Sequence, residues 1–210
     1  MTLQQIYNLA IKMGIKSDLR GEAQVKKSLL RLKEEFERLD ERTRQEFDQE
    51  RLTNPYSDTR ILVETKKPIK KILAGIDISG AELYLAERFK VDLVLSHHPL
   101  GKALAGIDEV MDLQIEVFEK YGVPVNVAEG LMKKRISEVA RSVSVSNHNK
   151  MVDALRLLGI SLLCVHTPCD NLVASYLEGQ IKNKKFERVF EILEFLKSIP
   201  EYKKAMEQKA

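Results

Sequence analysis

Apolar residues between Thr2 and Arg51 recur at helical spacing: Leu3, Ile6, Tyr7 and Ala10 form one run, and Leu29, Leu30, Leu32, Phe36 and Leu39 form a second. Gly14 and Gly21 mark the breaks between them. This predicts a helical N-terminal segment over residues 1–55, closed by the turn-forming stretch TNPYSDT at 53–59. Beyond it the pattern changes to short β-branched runs alternating with helical periodicity. RILVET, KKILAGIDIS, VDLVLSH, VPVNVAE and SLLCVHT read as strands. Helices are expected at Gly80 to Phe89, Asp108 to Tyr121, Glu129 to Ser142, Asn149 to Leu158 and Leu172 to Lys182, with an amphipathic helix over 186–199 and then a charged tail. Strands separated by helices argue for an α/β fold, in which a mostly parallel, buried sheet is flanked by helices. That domain is expected over residues 56–210.

A chain of 210 residues that is 44% apolar and 31% charged can bury a sizeable core and lies far from the composition of disordered chains. The formal charge is only +3, because 34 basic residues face 31 acidic ones in mixed runs such as RLKEEFERLDERTRQEFDQER. Such runs are solvated helix faces and carry no nucleic-acid signature. The two cysteines, Cys164 and Cys169, are too few for a disulfide framework or a four-cysteine zinc site, and read as small buried residues of a protein in a reducing cytosol. No segment has the length and apolarity of a signal or a membrane span, so a cytoplasmic protein made without processing is expected.

Half of the histidines in the chain stand side by side. VDLVLSHHPLG carries an apolar strand into His97, His98 and Pro99, and LLCVHTPCDN carries another into His166, with Asp170 four residues on. In open α/β sheets ligands bind outside the carboxyl ends of the strands, which is where these residues fall. Imidazole nitrogens with a carboxylate suit zinc, manganese, iron or cobalt, and a carboxylate can bridge two ions. Neighbouring strand residues point to opposite faces, so His97 and His98 share a site only if the strand ends before them, which Pro99 favours. Asp170 is open to two readings, a ligand or the N-cap of the following helix. His148, in SNHNKMVDALRLLG, is either a ligand or a residue of a helix start, and Asp77, at the end of KKILAGIDIS, is either a residue behind the metal ligands or, the leading reading, a turn former. No phosphate-binding loop, dinucleotide loop or nucleophile elbow is present.

Taken together, KKILAGIDIS, SHHPLG and HTPCDN, with NPYSDTRIL, YGVPVNVAE and SNHNKMVDALRLLG around them, resemble the Nif-three-like family, dinuclear-metal proteins catalogued as GTP cyclohydrolase I type 2 homologues. The resemblance implies two divalent ions held by His97, His98 and Asp170, with His166 in or beside the coordination shell. It also implies a metal-dependent hydrolase acting on a nucleotide or related small molecule, and ring-like homo-oligomers. The alternative is a metal-binding or regulatory protein without turnover. The family supplies a further histidine and glutamate near its C-terminus, and no histidine follows His166 here. A shortened member or a fragment is therefore expected, with His148 and Glu129 as the internal substitutes that chemistry allows.

Overall fold

The computed structural model describes residues 1–208. Helices α1 (Leu3–Lys16), α2 (Glu22–Arg38) and α3 (Glu41–Glu46) precede strand β1 (Arg60–Val63). Then come β2 (Ile72–Gly75), α4 (Gly80–Arg88), β3 (Leu93–Ser96), α5 (Gly101–Ala105), α6 (Ile107–Val110), α7 (Asp112–Lys120), α8 (Val125–Ser144), α9 (Lys150–Leu158) and β4 (Ser161–Cys164). The chain continues through α10 (Thr167–Ile181), α11 (Val189–Lys197) and α12 (Pro200–Glu207).

The sheet order is β1-β4-β3-β2, with β2, β3 and β4 parallel and β1 antiparallel to β4. The fold is thus α/β with a helical N-terminal segment. Strand alternation sends Val94 and Leu162 to one face, where they pack with Leu83, Ala86, Val152 and Leu155 of α4 and α9. Leu93 and Leu163 face the other side, against Leu3, Tyr7 and Ile11 of α1. The helical segment therefore supplies half of the sheet's cover. The turn at 53–59 lies within the larger of two compact units, Met1–Ser175, and Tyr176–Ala210 forms the smaller. Within the described part of the smaller unit, α11 packs on α12, and the rings of Phe186 and Phe195 are 5.9 Å apart.

One expected strand is a helix. VPVNVAE has a valine at every second position, yet Pro124 opens α8 and Val125 and Val127 are 46% and 44% exposed. The ring fixes φ at a helical value, and the buried positions that follow, Ala128 and Met132, are spaced by one helical turn. Residues 200–207 of the charged tail are likewise helical, as α12, with Pro200 in its first turn. Among the described residues no helix is long and apolar enough to cross a membrane.

Candidate metal centre

The last shared row of the sheet is Gly75, Ser96, Cys164 and Arg60. One or two residues past that row lie Asp77, His97, His98 and His166, and two residues before Arg60 lies Asp58, which the antiparallel β1 brings to the same edge. The register alone therefore gathers three imidazoles and two carboxylates at the carboxyl ends of the parallel strands. Strand β3 stops at Ser96, whose hydroxyl donates to the His98 carbonyl at 2.6 Å, and the backbone turn brings both adjacent rings to one side. The His97 and His98 ring centroids are 5.2 Å apart, and His97 stacks on His166 at 4.8 Å. One ring nitrogen from each of His97, His98 and His166 falls within 4.8 Å of the others.

Asp170 stands beside the group. Its Oδ1 is 3.5 Å from His97 Nε2 and its Oδ2 is 3.6 Å from His166 Nδ1, so each oxygen faces a different imidazole. It is not the N-cap of α10: the helix begins at Thr167, and the Asp170 N–H already donates to the His166 carbonyl at 3.2 Å. Each Nδ1 has an oxygen beside it. His97 Nδ1 lies 3.3 Å from the Val165 carbonyl, His98 Nδ1 lies 2.7 Å from Asp77, and His166 Nδ1 lies 3.0 Å from Asp58. With Nδ1 engaged, Nε2 is the nitrogen each ring has left for a ligand. The hydrogen bond to Asp58 pushes the His166 pKa above its ordinary value against the opposing effect of burial.

Asp77 thus does more than form a turn, and Asp58, in the turn-rich NPYSDT, is a site residue that sequence reasoning missed. His148 lies elsewhere. Its carbonyl accepts from the Gly101 N–H at 2.9 Å at the start of α9, its Nδ1 is buried without a hydrogen-bond partner, and it is outside the imidazole group. Glu129 lines a groove with Asp112 and Glu116 that none of the three imidazoles enters. Burial pushes the Cys164 thiol up to about 12 and that of Cys169 above its usual value, so neither offers a thiolate at neutral pH.

The donor set fits a divalent cation. Around the imidazoles stand Asp58, Asp77 and Asp170, and among the described residues none of these carboxylates is ion-paired with lysine or arginine. Nitrogen with oxygen is the donor mixture of zinc and its first-row neighbours.

Packing behind the centre is tight. A Cβ on Gly14 of α1 would lie 2.7 Å from Pro168 Cβ and 2.9 Å from its Cα, and Pro168 sits between His166 and Asp170. Ala in place of a helical glycine ordinarily stabilises by about 1 kcal/mol. Here Gly14→Ala is expected to destabilise by about 1–3 kcal/mol in urea unfolding, because α1 must move off the start of α10. Metal affinity is expected to fall with it.

An α/β sheet bearing an imidazole and carboxylate cluster at the carboxyl ends of its strands defines the class of protein. No family model matches the chain, and no curated protein matches it. Among solved structures it is similar to a NIF3 superfamily protein from Sphaerobacter thermophilus, with a TM-score of 0.61 and 27% identity over 69% of this chain and 55% of that one. The chain has the Nif-three-like fold, and it spans about half the length of that protein.

Proposed function

We propose that this edge is a divalent-metal site of the Nif-three-like kind, and that the protein is a metal-dependent hydrolase of a nucleotide or related small molecule. The observation that carries the metal reading is the convergence of His97, His98 and His166 with Asp170 between them, each imidazole held through Nδ1. A divalent ion held there supplies Lewis-acid polarisation and an acidified water for hydrolysis. His97 and His166 are partly buried and fixed, while His98 and Asp170 are about half exposed, so the solvent side of the cluster stays open to substrate. Asp170 stands beside two of the imidazoles, 3.5 Å from His97 Nε2 and 3.6 Å from His166 Nδ1, and adds an anionic oxygen on the ligand-bearing side of His97.

The test is titration of chelator-treated protein with zinc, manganese, iron(II) and cobalt, read by calorimetry and thermal stabilisation, followed by assays on nucleotides and phosphoesters. Protein that binds none of these metals refutes the site. Tight binding without turnover makes it a structural or sensing site. Asp170→Asn separates coordination from helix support. Losing a charge in the first turn of α10 costs the metal-free protein about 1 kcal/mol or less. Losing the anionic oxygen is expected to weaken metal by more than the roughly 10–100-fold typical of outer partners. Unchanged affinity in the variant removes Asp170 from the site.

A further inference from the structure

We propose that Asp58 is the positioning residue of this centre: it fixes the His166 ring with Nε2 outward and supplies the buried negative charge that a bound cation neutralises. The assignment rests on the metal reading above. Asp58 is 0% exposed. Its Oδ2 accepts from the Thr167 hydroxyl at 2.6 Å, from the Thr167 N–H at 3.3 Å and from His166 Nδ1 at 3.0 Å, and its Oδ1 accepts from the Thr59 hydroxyl at 3.2 Å. Backbone and hydroxyl donors satisfy the lone pairs of such a group without cancelling its charge. Among the described residues the ion-pair partner of Asp58 is His166 alone.

A carboxylate is withdrawn from water at large cost unless a cation compensates it. A divalent ion on the far nitrogen of the same imidazole is such a cation, and a carboxylate behind a ligating histidine is the usual way its tautomer is fixed. The neighbouring contacts make the arrangement rigid. The Thr59 hydroxyl, which donates to Asp58, also accepts the His166 N–H at 3.3 Å, tying the entry to β1 to the exit of β4. The other two imidazoles are held less firmly. Asp77, behind His98, has a side chain 80% exposed, so water can replace it, and His97 leans on a neutral carbonyl. Water cannot take the place of Asp58.

Asp58→Asn keeps the shape and one acceptor but removes the charge. Metal-free wild type and variant are titrated with cobalt(II) alone at neutral pH, both metal-free forms are melted, and the imidazole nitrogens of the metal-free wild type are examined by NMR. The variant is expected to bind cobalt roughly 10–100-fold more weakly. Its metal-free melting midpoint is expected to change little, because without metal there is no ligand for the residue to position. In the wild type, His166 is expected to carry its proton on Nδ1. Equal cobalt affinity in the two proteins overturns the assignment, as does a variant whose metal-free midpoint falls while its affinity holds. An Nε2–H tautomer of His166 overturns it even where the variant does not fold. Wild-type protein that takes up no cobalt overturns the metal reading and this assignment together, and is told apart from failure of the assignment alone, in which both proteins bind alike.

Discussion

His97→Ala is expected to lower divalent-metal affinity by at least the roughly hundredfold upper range seen for outer-shell partners, since on the proposed reading a direct ligand is lost. His97 holds the central place in the group. Its ring stacks on His166 at 4.8 Å, lies 5.2 Å from His98, and has its Nε2 3.5 Å from Asp170, so its removal takes away a donor and the surface that keeps the other two rings in place. The side chain is only about a quarter exposed, and alanine leaves a gap beside His166 as well. Metal-free stability should change much less, because the ring faces the sheet edge and lies outside both apolar clusters. Calorimetric titration of the two proteins side by side checks the ratio. A variant that keeps wild-type affinity would leave the cluster as stacked imidazoles without a coordination role.

How far the chain could be read without its structure follows from what each segment buries. The runs around Leu62, Val94 and Leu162 were legible as strands because a sheet covered on both faces is apolar at consecutive positions, while the edge strand around Leu73, half exposed, was legible from its apolar residues alone. VPVNVAE misleads because three alternating valines match a strand's period, and only Pro124 and the later spacing of Ala128 and Met132 show a helix. At the site, His97, His98, His166 and Asp170 stood out because histidines are rare in the chain and these fall at strand ends. Asp58 was hidden for the opposite reason. An aspartate in NPYSDT is the most ordinary of turn formers, and its partner His166 lies 108 residues away, reachable only once β1 pairs antiparallel with β4. Asp77 was discounted on the same grounds. His148, equally suggestive chemically, lies apart from the three clustered imidazoles, with its carbonyl accepting from the Gly101 N–H.

Arg20→Met is expected to destabilise the protein by about 3–5 kcal/mol, a large part of the roughly 5–15 kcal/mol that holds a domain folded. The Arg20 side chain is 5% exposed and that of Asp18 is 1% exposed. The guanidinium donates to both Asp18 oxygens at 2.9 Å and to Glu116 of α7 at 2.9 Å. Asp18 also accepts from the Tyr56 hydroxyl at 2.9 Å and from the Asn171 amide at 3.3 Å, so the loop after α1, the approach to β1 and α10 beside Asp170 meet on one carboxylate. Removing Arg20 strands that carboxylate out of water, whereas Asp18→Asn in the same protein should restore a good part of the loss by removing the stranded charge.

The pH dependence gives the sign. Burial works against the Asp18 charge, but Arg20 outweighs it and draws the carboxyl below the usual range. A depressed carboxylate contributes stability that is complete above its unfolded pKa of about 3.9 and is lost as pH falls through the folded value. In Arg20→Met burial stays and only neutral donors, the Tyr56 hydroxyl, the Asn171 amide and the backbone N–H of residue 20, still favour the charge, so the carboxyl titrates at higher pH than in the wild type, and acid relieves the stranded charge. The stability gap between the two proteins should therefore be widest at neutral pH and narrow as pH falls to about 4. Urea unfolding of both proteins across that range measures it. A gap that stays constant with pH would mean that Arg20 acts through packing of its stem and not through the charge on Asp18.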